Sequence, residues 1–169
     1  MKYCYVCGEK LEEKECYNCG VLDGLFPFCP KCGEFRFPFF NSAVSMVIFN
    51  ADYSKTLLIK QYGRDFNILV AGYVNKGETL EAALNRELKE ETGLCAVEYK
   101  FNKSRYYEKS NSLINNFIVR VKNEEFILNA EVDFAKWYTL DEAKEAVYKN
   151  SLAEYFLNLA TGKIQPLSV

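Results

Sequence analysis

The chain has 169 residues and a net charge of −2, with 49% hydrophobic residues, 26% charged residues and no histidine. Those proportions describe one folded domain with room for a small appendage, without the basic field that draws proteins to nucleic acid or anionic membrane. The missing histidine excludes imidazole acid–base catalysis, histidine triads and histidine zinc ligands, leaving carboxylates, metals, Tyr, Lys and Cys.

The N-terminal stretch Met1-Lys-Tyr-Cys-Tyr-Val-Cys7 lacks the apolar core of a signal peptide, and no apolar run is long enough to span a bilayer. A cytoplasmic location and no membrane association are therefore expected. Three Cys-x-x-Cys-Gly knuckles follow: Cys4/Cys7, Cys16/Cys19 and Cys29/Cys32. Two such knuckles facing each other form the tetrahedral thiolate cage of a structural zinc ribbon. One zinc needs four of the six thiolates. Pairing Cys4 and Cys7 with Cys29 and Cys32 leaves 21 residues between, enough for a hairpin with Cys16 and Cys19 at its tip. The other pairings leave eight or nine residues, which is tight. Cys16 and Cys19 remain open as a replacement pair or as ligands of a second metal completed by non-cysteine groups. The charges here are mixed (Glu9, Lys10, Glu12, Glu13, Lys14, Glu15), so a scaffolding ribbon is expected rather than a nucleic-acid contact.

After Pro38 the pattern becomes that of a mixed domain. Strands are predicted at Val44–Phe49, Thr56–Gln61 and Asn67–Ala71, the last delivering the chain to Gly72. A helix follows over Leu80–Thr92, closed by Gly93 as its C-cap. At about 100° per residue, Leu80, Leu84 and Leu88 form one apolar stripe, with Glu91 inside its arc and Glu87 beside it. Glu90 lies roughly 60° beyond Glu87. A solvated acidic face would oppose the leucines, and this one does not. Glu87 and Glu91 are also an i, i+4 like-charge pair near the negative end of the helix dipole. Divalent cations held by oxygen ligands would reverse each of these unfavourable terms. Cys95, just beyond, is expected to be a small buried hydrophobe.

Further strands are predicted at Leu94–Phe101, Leu113–Val121 and Lys136–Thr139. Two closing helices start at capping boxes, Thr139-Leu-Asp-Glu142 and Ser151-Leu-Ala-Glu154.

The stretch from Gly72 to Leu94 resembles the Nudix box, Gly-x5-Glu-x7-Arg-Glu-U-x-Glu-Glu-x-Gly-U with U a bulky aliphatic residue. Its fixed positions are Gly72, Glu78, Arg86, Glu87, Leu88, Glu90, Glu91, Gly93 and Leu94. The resemblance implies an α+β fold, the Nudix α/β/α sandwich around a mixed sheet, over 39–169, behind a zinc ribbon at 1–38. It also implies hydrolysis of a nucleoside diphosphate linked to another group, with magnesium or manganese. Carried over residue by residue, Glu87, Glu90 and Glu91 hold the metal with the Gly72 carbonyl, while Arg86 and Glu78 orient them. Glu131, in Glu131-Val-Asp-Phe-Ala-Lys-Trp137, resembles a late glutamate that relatives use as metal ligand or base. Glu124, Glu125 and Asp133 are its rivals. Catalytic roles fall to Arg86, Glu87 and Glu90.

The segment Cys29-Pro-Lys-Cys32-Gly-Glu-Phe-Arg-Phe37-Pro38 resembles the ribbon of NADH-diphosphatase-type members, which supports Cys4, Cys7, Cys29 and Cys32 as the zinc ligands. Tyr73 stands where those relatives stack an aromatic on a nucleobase. Their Ser-Gln-Pro-Trp-Pro-Phe-Pro-x-Ser motif aligns with Ser104 to Ser112. Both serines survive, Tyr107 replaces the tryptophan and every proline is gone. The expected substrate contacts are thus Tyr73, Tyr107 and Ser112. NAD(H) is the leading substrate, with ADP-ribose or another dinucleotide or nucleotide sugar as the alternative. No nucleic-acid partner is expected beyond a capped RNA end, and the resemblance implies a homodimer. A ligand sensor or nucleic-acid-binding regulator without catalysis is the competing class; loss of box carboxylates would favour it, and none is lost.

Overall fold

The computed structural model describes residues 1–164, and its contacts divide the chain into Met1–Phe40 and a second unit beginning at Asn41. In the first unit β1 (Glu12–Asn18) and β2 (Val21–Cys29) form an antiparallel hairpin, and β3 (Glu34–Phe35) adds to β2. Cys19 and Gly20, at φ 50° and 81°, make the two-residue left-handed turn that suits strand twist. Among the described residues of this unit only Cys4, Cys29 and Arg36 are buried. A hydrophobic core that small does not hold a fold of this size, so the ribbon depends on another clamp.

In the second unit β4 (Asn41–Phe49) is the organising strand. It pairs in parallel with β8 (Ser112–Val121), which pairs antiparallel with β7 (Ala96–Tyr107). The other edge of β4 is shared. Its first half pairs with β6 (Val70–Tyr73), and its last residues pair with β5 (Lys55–Gln61). β5 continues outward to β9 (Val132–Thr139). The sheet is mixed, as expected, and helices cover both faces.

Alternation along the strands builds the two cores. Val44, Met46 and Ile48 of β4 meet Leu84 and Leu88 of α1 (Leu80–Thr92) on one face. Val47 and Phe49 face the other way, towards Phe156 and Leu157 of α3 (Leu152–Thr161) and Ala143 of α2 (Leu140–Ala146). Burying each of those leucines contributes about 2 kcal/mol. A buried polar chain ties the layers together: the Asn102 amide donates to Asn116 Oδ1 at 2.9 Å and to the Phe156 carbonyl at 3.0 Å. Asn116 in turn donates to Ser45 Oγ.

The helix over Leu80–Thr92 has the predicted bounds. Thr79 Oγ1 caps it by accepting from Ala82 N–H, and Gly93 ends it at φ 70°. Several expectations are corrected. Pairing of the third strand runs over Val70–Tyr73, while Ile68 and Asn67 make only isolated bridges, because β5 and β6 diverge from one edge of β4. β7 runs on to Tyr107, and β9 begins at Val132 rather than Lys136. Thr139 and Glu142 form a full capping box. Ser151 caps α3, but the Glu154 carboxylate bonds Asn150 N–H instead of closing the box. Cys95 is exposed, since Leu94 takes the core position and the next side chain points away. Among the described residues no helix is long and apolar enough to cross a membrane.

Candidate functional site

β6 and α1 place Gly72 against Glu87. Arg86 is the hub beside them. Its Nε and Nη2 donate to the two oxygens of Glu78 at 2.8 and 2.9 Å. Nη1 donates to Glu87 Oε1 at 2.6 Å and to Glu90 Oε2 at 3.2 Å, and Nη2 also donates to the Tyr73 carbonyl at 2.9 Å. All five guanidinium N–H donors are thereby used. The Arg86 bonds, with help from Asn75 N–H, hold Glu78 down to about 2, and the same carboxylates raise Arg86. Glu78 is therefore an anchored partner, not a free surface residue.

Glu91 is different. It is only 2% exposed, and its Oε2 has no hydrogen-bond partner. Burial first, and then the charges of Glu87, Glu131 and Glu90, push its carboxyl up to about 7, with Gln61 opposing them. Glu131, just ahead of β9, accepts a hydrogen bond from Tyr62 Oη at 3.1 Å. A cleft of about 400 Å³ opens over these groups, lined among others by Gly72, Tyr73, Arg86, Glu87, Glu91, Ser112 and Glu131. Of Glu131's rivals, Glu124 is tied to Asn50 and Lys55, and Asp133 accepts from Gly63 N–H.

Not every candidate converges. Glu90 is half exposed and lies outside the cleft lining, reaching Arg86. Tyr107 also lies outside it. Ser112 lines the cleft but is fully buried; its hydroxyl donates to the Ser110 carbonyl and accepts from Ser110 Oγ, so it holds the turn before β8. The cleft also contains residues that sequence reasoning missed, chiefly Gln61, Tyr62 and Ser110. Gln61 had left a signal: it continues the core-facing row of Leu57 and Ile59, where a polar side chain is out of place.

The donor set fits a divalent cation. The buried Glu91, its Oε2 without a partner, lines the same cleft as Glu87 and Glu131, and a cation there would relieve both its desolvation and the mutual repulsion. No three of the described carboxylates close to within 4.8 Å of one another. Arg86 is the cation that Glu87 and Glu90 already have.

In the first unit the sulfurs of Cys4, Cys7, Cys29 and Cys32 all lie within 4.8 Å of one another. Cys4–Cys32, Cys7–Cys29 and Cys7–Cys32 are separated by 4.0, 3.5 and 3.4 Å. A tetrahedral zinc with sulfur at about 2.3 Å spaces its ligands about 3.8 Å apart, so the cage fits. Gly8 and Gly33, at φ 76° and 73°, turn their N–H groups back to the Cys4 and Cys29 carbonyls. Burial of Cys4 raises its pKa, but hydrogen bonds led by Arg36 Nε at 3.2 Å outweigh it and bring the thiol down to about 6. Cys32, which donates to Cys7, is pushed up to about 12. Arg36 was not anticipated; a buried arginine against a thiolate cage offsets its negative charge.

A mixed sheet between helices, with a helix that brings Glu87 and Glu91 to a cleft beside Gly72, defines an α/β/α sandwich. The NUDIX domain model matches residues 40–159, and the chain belongs to the NUDIX family. Over 159 residues it is 21% identical to a Pseudomonas aeruginosa protein named NAD-capped RNA hydrolase NudC, covering 94% of this chain and 55% of that one. The chain thus spans about half the length of the curated relatives it matches. In fold it is similar to a NUDIX hydrolase from Nitrosomonas europaea, with TM-score 0.61 and 19% identity over 98% of this chain and 95% of that one. It is likewise similar to the NUDIX domain of Shewanella oneidensis NrtR, solved with ADP ribose, with TM-score 0.60 and 20% identity over 79% and 90%.

Proposed function

We propose that the chain hydrolyses the pyrophosphate bond of a nucleoside diphosphate linked to another group, most readily NAD(H) or an NAD-capped end. The observation that carries this reading is the buried Glu91 carboxylate, its Oε2 without a partner, beside Glu87 and Glu131 in one cleft. Glu87, Glu90, Glu91 and Glu131, with the Gly72 carbonyl, would hold magnesium or manganese. Bound there, the metal supplies charge neutralisation at the phosphoryl oxygens and a water of lowered pKa.

The chain's own residues do the rest. Arg86 and Glu78 fix the carboxylates, since support of this kind sets ligand orientation and charge. Glu90, which reaches Arg86 at the edge of the site, would have to leave that contact to hold the metal. Glu131 and Glu91 are the available acceptors for a water proton. Tyr73, 54% exposed on the cleft wall, presents a ring face for a nucleobase. Ser112 supports the wall from behind, and Tyr107 borders the same hairpin. Cys4, Cys7, Cys29 and Cys32 would hold a structural zinc, making 1–38 a ribbon domain ahead of the catalytic one. A four-thiolate zinc site suits a reducing cytoplasm. A homodimer is part of the same proposal.

ADP-ribose is the second substrate reading, because the prolines of the NADH-diphosphatase motif are absent between Ser104 and Ser112. The test is a product assay with magnesium or manganese across NADH, NAD, ADP-ribose, diadenosine polyphosphates and NAD-capped RNA. Mononucleotide products from NADH or the capped RNA support the leading reading. Preference for ADP-ribose replaces it, and no turnover of any substrate leaves a ligand-sensing domain.

A further inference from the structure

We propose that Tyr62 is a positioning residue whose hydroxyl fixes the Glu131 carboxylate at the cleft, a role that rests on the reading of Glu131 as a metal ligand given above. The backbone at this corner of the site is unusual. β5 ends at Gln61, and the Arg64 N–H donates to the Gln61 carbonyl at 3.2 Å. Tyr62 and Gly63 between them have φ of 56° and 67°, the pattern of a type I′ turn. Glycine, asparagine and aspartate dominate such turns. A β-carbon at positive φ crowds the following carbonyl oxygen, and only short polar side chains compensate by local hydrogen bonds. Tyrosine at that position is strained, and it is 63% exposed, so burial does not offset the strain. Fold stability therefore does not account for this residue. Its hydroxyl does have a partner: it donates to Glu131 Oε2 at 3.1 Å.

The turn also meets the strand that follows Glu131. β5 and β9 pair Lys60 with Phe134 and Gln61 with Val132, which leaves Asp133 as an extra, bulged residue. Asp133 Oδ2 accepts from Gly63 N–H at 2.7 Å, so the bulge clamps the turn beside Tyr62. Gln61 and Tyr62, neighbours that a regular strand would send to opposite faces, thereby both line the cleft with Glu87, Glu91 and Glu131. Glu131 needs such a holder, because it is exposed just ahead of β9 and a free glutamate side chain samples several rotamers. The chemistry of the holder matters too. Glu78 and Glu87 are bound by the Arg86 guanidinium, whereas Glu131 takes its bond from a neutral hydroxyl. A guanidinium competes with a metal ion for its carboxylate; a hydroxyl restrains the side chain and leaves its charge for the metal. Tyr62 takes Oε2, which leaves Oε1 to the cation.

The experiment measures manganese binding by electron paramagnetic resonance without substrate, beside steady-state kinetics, for the full chain, Tyr62→Phe, Glu131→Gln and the double variant. Tyr62→Phe keeps the ring and removes only the hydroxyl. It should weaken manganese affinity about tenfold and lower kcat, with KM for the nucleotide and the urea midpoint unchanged. In the Glu131→Gln background the same change should have no further effect, since Tyr62 acts through Glu131. Equal losses in both backgrounds, a raised KM alone or a lowered urea midpoint would overturn the proposal, because Tyr62 would then touch substrate or brace the fold. Unchanged manganese affinity in Tyr62→Phe or in Glu131→Gln also overturns it, while turnover by the wild type keeps the hydrolase reading standing. If the wild type turns over no substrate, the hydrolase reading fails, and the manganese cycle still decides the role of Tyr62. A wild type that binds no manganese overturns both.

Discussion

A β-carbon on Gly72 would lie 1.9 Å from the Glu87 carboxyl carbon and 2.0 Å from its Oε1. The glycine is required by this close approach and not by a positive φ, because no φ in the left-handed region is present there. The strand lets the helix carboxylate lie directly against its backbone, in the space that a side chain at position 72 would fill.

Gly72→Ala is therefore expected to push Glu87 aside without unfolding the sheet. Metal-dependent turnover should fall about 10–100-fold, as when support for a ligand is lost, with the circular dichroism spectrum retained. Unchanged turnover would remove Glu87 from the proposed site.

Glu90→Gln should abolish magnesium-dependent hydrolysis while leaving the melting curve within about 0.5 kcal/mol of wild type, because the Glu90 side chain is half exposed. Full activity in this variant would sink the assignment of Glu90 as a metal ligand.

Glu91 sets a pH dependence of stability in chelator-treated protein. Its carboxyl is raised from 4.5 to about 7, so the folded state binds the proton more tightly than the unfolded state does. That contribution is fully present below pH 4.5 and is lost as pH rises through about 7. Glu91→Gln should flatten this slope and stabilise the metal-free protein at pH 8 by about 1–3 kcal/mol, with loss of activity. Denaturant melts at pH 5 and pH 8 provide the check, and an unaltered slope would contradict the burial argument.

Arg86→Lys keeps the charge but replaces five fixed donors with one mobile ammonium. The paired bonds to Glu78 and the bond to the Tyr73 carbonyl cannot all be kept. We expect about a 10–100-fold drop in turnover and weaker apparent magnesium affinity, read from a magnesium titration of rate.

Cys29→Ser removes a buried cage ligand from a unit with almost no apolar core. About one zinc per chain should be lost, and the remaining ribbon thiols should become reactive to a thiol reagent. Retention of that zinc would argue that Cys16 or Cys19 had replaced it.

Much of this was legible along the chain because the information is local. Helix periodicity located α1 and turned Glu91 inward, and its cap residues Thr79 and Gly93 are short-range signals. The spacing of the knuckles likewise favoured the four thiols that come together. What depends on strand pairing was less visible. The shared edge of β4 shifts the third strand towards Gly72, and the register of β5 with β9, Gln61 opposite Val132, brings Gln61 and Tyr62 to Glu131. The roles of Ser112 and Cys95 also depended on which face each side chain takes.

The sequence by itself determined the family, the carboxylate helix and the cysteine knuckles, because each rests on spacing within one segment. Only the tertiary structure decided that Glu131 and not Glu124 joins the cleft, that Arg86 uses all five donors, and that Glu91 is buried with its Oε2 unpartnered. Those facts arise where segments far apart in the chain meet, and meeting is governed by sheet register and packing, which no local pattern encodes.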